Sequence, residues 1–283
     1  MTAFALSPDR RDQLAELLDD EARFNLEFPG LADYLATAPG LPGTGNAEQD
    51  HVFDLRMLHF MTGGASANPY WDIVEPLITA GPDSRGGRRE VNGGSDRGSG
   101  RLAYAQMALQ AAYAYAIPSP GTLDWIAQVC DGRALTEVGA GRGYWAHQLS
   151  GRGLVVSAYD SAPPDSVENS SFPSSPGQPS VWHPVAGLDA LEQARQSGEY
   201  GRSVLFLCWP PGWGDPMSTQ VLAEYVEAGG DRLVYIGEPK GGKTGADEFF
   251  DALAAGWTLQ SSDHSFVSWW NLSDVAQCWV RRT

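Results

Sequence analysis

From residue 134 to the C-terminus, short apolar runs alternate with stretches that suit helices. No other feature constrains the fold as strongly. The runs are ALTEV (134–138), LVVSAYD (154–160), VWHPV (181–185), SVLFLCW (203–209), RLVYIGE (232–238), GWTLQSS (256–262) and AQCWVRR (276–282). Helical segments fit at 143–151, 187–197, 216–228 and 246–255. Strands covered on both faces read as continuous apolar runs, and intervening helices supply the crossovers that parallel pairing needs. The expected fold is α/β, with a doubly wound, mostly parallel seven-stranded sheet. HSFVSWWNLSD, between the last two runs, reads as a loop, so the last strand is expected to pair antiparallel.

The first hundred residues follow another pattern. Ser7-Pro8-Asp9 offers an N-cap with proline at the first helical position. Leu14, Leu17 and Leu18 then give one apolar face within a helical stretch over 7–38, interrupted at Pro29-Gly30. A second helical pair is expected over 47–80. Residues 82–101 are rich in Gly, Ser and Arg and read as a mobile linker, with a lid over a ligand as the sharper alternative. The expected organisation is a helical N-terminal cap over 1–100 and a sheet domain over 101–283. Within the latter, an alanine-rich helix (102–116) and a helix beginning PGTLDW precede the first strand, and 162–180 is a Pro- and Ser-rich loop.

With 19 Lys and Arg against 35 Asp and Glu, the formal net charge of −16 disfavours a protein that grips phosphate backbones. It favours a neutral or cationic ligand. Cys130, Cys208 and Cys278 are far apart with no C-x-x-C, which fits a reducing compartment rather than a disulfide framework. The N-terminus has no signal-peptide pattern, and no apolar stretch reaches the length of a membrane span. A soluble cytoplasmic protein is expected. His51 and His59 lack metal-ligand spacing and no H-E-x-x-H occurs, so no metal is expected.

The first run ends in EVGAGRGYW, with Gly139, Gly141 and Gly143 at alternate positions behind Glu137. In a doubly wound sheet, this turn lies at the binding crevice beyond the carboxyl ends of the strands. A dinucleotide fingerprint would place a third glycine where Tyr144 stands. Glu137 would repel a phosphate and attract an ammonium or sulfonium ion. This stretch resembles motif I of the class I S-adenosylmethionine-dependent methyltransferases, and so does the seven-strand pattern with its terminal hairpin. The resemblance covers roughly residues 100 to 283. It implies S-adenosyl-L-methionine as cofactor, held by Glu137, Gly139, Ala140, Gly141, Gly143, Tyr144 and Trp145. Asp160, ending the second run, would take the ribose hydroxyls as donors, with Tyr159 beside it against the adenine.

The fourth run leads into FLCWPPGWGDPM. The amine-methylating branch of the resembling family carries a polar residue, two prolines and an aromatic there. Here Pro210-Pro211 align, but Trp209 precedes them and Gly212 and Trp213 follow. The polar acceptor is missing, so that branch's chemistry does not carry over. Trp209 and Trp213 either form an apolar or cation-holding wall or simply pack. Cys208 borders the cofactor side. Tyr115 (with Ser119 nearby), His183 and Glu238 are the remaining candidates for contact with substrate or for base chemistry, each with a structural alternative. GGKTG invites a phosphate-loop reading, set aside because position 238 is a glutamate. The expected activity is methyl transfer to oxygen or nitrogen of a small molecule or peptide. A nucleic-acid or protein methyltransferase, and a non-catalytic cofactor-binding protein, are the competing readings.

Overall fold

Three short helices open the chain in the computed structural model, which describes residues 4–80, 89–166, 169 and 171–282. In α1 (Pro8–Asp19) the Ser7 hydroxyl caps the first turn by accepting from the Arg10 N–H at 3.2 Å. The helical stretch expected over 7–38 breaks twice. Asp20 caps α2 (Glu21–Glu27), and Pro29 takes the first position of α3 (Pro29–Thr37), where its missing N–H costs nothing. The expected pair follows as α4 (Ala47–Met61), capped by Asn46, and α5 (Pro69–Val74).

Beyond α5 the chain forms β1 (Ile78–Ala80) and β2 (Arg89–Val91) before α6 (Gly100–Ala112). The linker expected over 82–101 is therefore structured from residue 89 onward. Asn92 turns the chain, its side-chain oxygen accepting from the Gly94 N–H at 2.8 Å, and Ser99 caps α6. Residues 81–88 lie outside the described residues. Then come α7 (Pro120–Cys130), β3 (Leu135–Val138), α8 (Tyr144–Ser150), β4 (Val156–Tyr159) and β5 (Val185–Ala186). After α9 (Leu188–Gln196) and α10 (Glu199–Arg202), the order is β6 (Val204–Cys208), α11 (Met217–Glu227), β7 (Arg232–Gly237) and α12 (Asp247–Gly256). The chain closes with β8 (Trp257–Ser262), β9 (Val267–Trp269) and β10 (Val275–Arg281).

Seven strands form the main sheet in the order β5-β4-β3-β6-β7-β10-β8. The first five run parallel, and β10 lies antiparallel between β7 and β8. The strand order reverses about β3, so the carboxyl ends of β3, β4 and β6 open a crevice. Two expectations need correction. VWHPV contributes only its last residue to β5, because Pro184 has no N–H for a ladder, and His183 lies before the strand. The apolar part of HSFVSWW is not loop: β9 pairs parallel with β2, which pairs antiparallel with β1, making a second, three-stranded sheet.

One buried cluster runs from Leu14, Phe24 and Tyr34 through Tyr70, Leu109 and Ile126 to Leu135, Phe206 and Val234. The opposite face of the main sheet packs on a second cluster around Leu205, Tyr225, Tyr235 and Phe249. The helical N-terminal residues are thus built onto one face of the sheet. Polar pins accompany the apolar contact. The Trp269 indole donates to the Tyr70 hydroxyl at 3.0 Å, and the Tyr144 hydroxyl donates to Asn68 at 2.9 Å.

Candidate active site

The turn after β3 is held in place by β4. The Gly139 and Ala140 N–H groups donate to the Tyr159 carbonyl at 2.8 and 3.0 Å, and the Gly141 N–H donates to the Asp160 carboxylate at 2.8 Å. The second Asp160 oxygen accepts from the Ala162 N–H at 2.8 Å. Gly141 sits at φ +56°, a left-handed conformation that costs any other L-residue. A Cβ there would stand 2.5 Å from the Phe172 ring. At Gly139 (φ +82°) a Cβ would meet the end of Met217 at 3.1 Å, across the crevice.

That crevice is a cleft of about 1100 Å³. Glu137, Gly139, Ala140, Tyr144, Trp145 and Asp160 line it on the β3–β4 side. Glu137 is buried, and its Oε2 has no hydrogen-bond partner. Burial pushes its carboxyl up to about 8, a hydrogen bond from the Ala146 backbone offsets part of that, and the Asp160 charge adds to it. The Trp145 indole N–H is likewise buried without a partner. An orphan acceptor and an orphan donor therefore sit among the residues lining one cleft, where buried polar groups are ordinarily paired.

The tip of β6 supplies another side through Cys208, Trp209, Pro210, Pro211 and Trp213. Burial holds the Cys208 thiol well above its ordinary range, so it is a neutral wall group and not a thiolate. Trp209 (φ +54°) and Trp213 (φ +51°) are both left-handed. Trp209 is secured by its N–H to the Ile236 carbonyl at 2.7 Å and by its indole to Asp274 Oδ1 at 3.1 Å. Its ring stacks on Tyr115, with centroids 5.1 Å apart and planes 11° apart, and Tyr115 meets Phe172 edge-on at 5.6 Å. The Pro210 carbonyl accepts from the Gly245 N–H at 3.0 Å, so it is engaged within the protein.

Five of the candidates read from sequence do not line the cleft. Gly141 and Gly143 face Phe172 and the His183 carbonyl, and shape the turn from behind. Tyr159 is buried in the second apolar cluster. The His183 ring pairs with the Val156 carbonyl at 3.2 Å. Glu238 is buried and both of its carboxylate oxygens are engaged, Oε2 by the Lys243 N–H at 2.7 Å and Oε1 by the Ser273 N–H at 2.9 Å. It braces the β7–α12 loop. That loop, from Gly237 to Thr244, has the complete G-x-x-x-x-G-K-T spacing. The glutamate nevertheless takes the Lys243 N–H, and α12 begins only at Asp247 with two acidic residues in its first turn. This is not a phosphate cradle.

The sequence reading missed Phe172, the one aromatic in the Pro- and Ser-rich loop, which with Asn169 and Ser171 lines the cleft. The loop is pinned to the N-terminal helices: the Gly177 N–H and the Ser175 hydroxyl donate to the Glu27 carbonyl at 2.8 and 2.6 Å. Its partner is 148 positions away in sequence, so no local pattern announces the contact. Leu188, Glu192 and Arg195 of α9 and Met217, Gln220 and Glu224 of α11 complete the cleft.

The strand order, with one antiparallel strand inserted beside the edge, is that of the seven-stranded, Rossmann-like class I methyltransferase fold. Neither a protein-family profile nor any curated protein matches the sequence. Among solved structures, the chain is similar to Sp1610 from Streptococcus pneumoniae in complex with S-adenosyl-L-methionine, at 16% identity over 56% of this chain and 72% of that one, with a TM-score of 0.35. It is similar to magnesium protoporphyrin IX methyltransferase from Synechocystis PCC 6803 with bound cofactor, at 13% identity over 57% and 80% of the two chains and a TM-score of 0.29. The apo form of the S-adenosylmethionine-dependent methyltransferase SibL aligns over 96% of this chain and 76% of its own, at 12% identity and a TM-score of 0.35. At these scores the likeness adds nothing to the topology read from the sheet itself.

Proposed function

We propose that this chain is an S-adenosylmethionine-dependent methyltransferase that acts on oxygen or nitrogen of a small molecule or peptide. The observation that carries the reading is the unpartnered Glu137 Oε2, buried in the wall of the cleft beside a glycine turn. A cationic amine is the partner such an oxygen lacks. The Trp145 indole N–H, buried and also without a partner, would donate to a carboxylate. An amino acid moiety carries both groups. Asp160 still has lone pairs for vicinal hydroxyls beyond the two backbone N–H groups it accepts from. When bound, the cofactor would supply a methyl group on a cationic sulfur for an acceptor lone pair, the C–S bond breaking with its electrons left on sulfur as the C–O or C–N bond forms.

This chain's part in the reaction is placement and exclusion of water. The glycine turn brings backbone close to the ligand, and Cys208, Trp209 and Tyr115 give an apolar wall. Glu238 is not among the residues lining the cleft, and its two oxygens hold the Lys243 and Ser273 N–H groups, so its role is to brace a loop. A general base is required only where the acceptor must lose its proton before attack. The test is a calorimetric titration with S-adenosylmethionine and S-adenosylhomocysteine on wild type and E137Q. Binding by wild type with a loss of tenfold or more in the variant supports the reading, and absence of binding to wild type refutes it.

A further inference from the structure

We propose that the methyl acceptor is a free small molecule with a flat aromatic ring and a neutral or cationic charge, held by the aromatic side chains at the tip of β6. The inference rests on the methyl-transfer reading above and deepens it. Trp213 is 83% exposed, more than any other large hydrophobic residue among those described. It is left-handed, and its side chain makes no hydrogen bond, ion pair or ring contact among the described residues. A tryptophan in that conformation on a slack loop would relax. This loop is not slack. Pro211 bridges to Thr244, the Pro210 carbonyl accepts from Gly245, and a Cβ on Gly212 would strike the Lys243 carbonyl at 2.4 Å. The fold therefore presents a bare indole on an anchored, strained stretch of backbone that lines the cleft, and such strain clusters at ligand sites.

Trp213 shares the cleft with the parallel Trp209–Tyr115 pair and with Phe172. Ring faces in this number suit a planar π-system or a cation. The charges choose between signs. Besides the protonated Glu137, four carboxylates line the cleft (Asp160, Glu192, Asp215 and Glu224), against Arg195 and Lys243. Arg195 is already paired with Glu192 at 2.9 Å and faces Glu227 at 3.8 Å. An anionic acceptor would meet a repulsive field focused by low-dielectric walls. The cleft is bounded by the glycine turn, the Phe172 loop, α9 and α11, and its volume is on the scale of small-molecule sites.

The experiment measures equilibrium binding by saturation-transfer NMR, with and without S-adenosylhomocysteine. Tryptamine carries a ring and a cation, cyclohexylethylamine the cation alone, and indole-3-acetate the ring with an anion. A capped tripeptide with a central tryptophan carries the ring on a chain. Tryptamine is expected to bind at least about tenfold tighter than each of the other three, and W213A to lose about tenfold of that affinity. S-adenosylhomocysteine affinity should stay within about twofold in W213A. Equal binding of cyclohexylethylamine overturns the aromatic requirement, and equal binding of indole-3-acetate overturns the charge requirement. Tighter binding of the tripeptide overturns the free small molecule. No tryptamine binding at ~10 mM, or an unaffected W213A, overturns the site. Tryptamine bound at Trp213 without any S-adenosylhomocysteine binding would instead sink the methyl-transfer reading and leave the aromatic site standing.

Discussion

Cofactor binding should release a proton from Glu137. Burial holds this carboxyl at about 8, so at pH 7 only about one molecule in ten carries the charge. A cationic amine against Oε2 favours the charged form, so the proton must leave as the ligand enters. Ionising the group costs about 1.4 kcal/mol at pH 7 and about twice that at pH 6. Apparent affinity should therefore rise about tenfold per pH unit up to about pH 8, and then stop rising. The ligand's own α-amino group titrates at roughly 7.7–8.0, in the same range. The quantity to read is thus the difference between wild type and E137Q. Calorimetry of S-adenosylhomocysteine at pH 6.5, in two buffers of different ionisation enthalpy, counts the protons. Wild type should release close to one more proton than the variant. Equal release by the two proteins, or a wild-type affinity flat from pH 6 to 8, would refute the argument. Stability gives an independent check of the same number. The folded-state value lies above the unfolded one of about 4.5, so the native protein binds the extra proton between about pH 4.5 and 8. Stability owed to this group is full below that window and is lost as pH rises through it, by up to roughly 1.4 kcal/mol per unit. E137Q should melt like wild type near pH 4.5 and above it at pH 8.5.

Other substitutions test the frame around that carboxylate. Asp160→Ala removes the acceptor of two backbone N–H groups as well as a hydroxyl partner, and should weaken S-adenosylhomocysteine binding by about 1–3 kcal/mol with a lower melting temperature. Unchanged affinity would move the ribose contact elsewhere. Gly141→Val forces a branched side chain into a left-handed turn, at about 1–2 kcal/mol, and against the Phe172 ring. Affinity should fall tenfold or more, and adding Phe172→Ala should restore only part of it; a G141V protein that binds normally removes the turn from the site. Glu238→Gln should destabilise the fold by about 1–3 kcal/mol and so lower the melting temperature, because an amide NH₂ would face a backbone N–H. Its methyl-transfer pH profile should not shift; a lost limb of that profile would restore Glu238 as a base.

The sheet was legible because its strands are buried on both faces and each run stands out against the helices beside it. Val204 to Leu207 are all buried, and nothing in them depends on a distant partner for recognition. What failed was non-local. β9 is a strand only because β2, more than 170 positions earlier, lies beside it, and local composition in HSFVSWW reads equally well as loop. His183 looked like part of a strand because apolar neighbours flank it, yet Pro184 stops the ladder. Composition at 82–101 suggests a linker, or a lid as the alternative, and the part over 82–88 lies outside the described residues. The Phe172 loop, which lines the cleft, is held there through bonds to Glu27 that a sequence does not display. Glu238 shows the opposite failure, since a carboxylate at a strand end looks catalytic until the structure sets it outside the cleft lining.

The roles of the carboxylates around the cleft follow from which lone pairs are already in use. Asp160 holds Gly141 and Ala162, Glu238 holds Lys243 and Ser273, Asp215 accepts from the Met217 N–H at 2.9 Å, and Asp274 accepts the Trp209 indole. Each fixes a loop at the carboxyl end of a strand, and a backbone N–H or an indole N–H needs such an acceptor when water is excluded. Glu137 breaks the pattern. It is as buried as Asp160, Glu238 and Asp274, yet its Oε2 has no partner, and the fold bears the cost in a protonated, destabilised side chain. A glutamine in its place would keep the shape without the titration, and an apolar residue would remove the penalty altogether. A charge-capable group retained at a loss to stability, in the wall of a cleft framed by its satisfied neighbours, is the mark of a site completed by a cationic ligand.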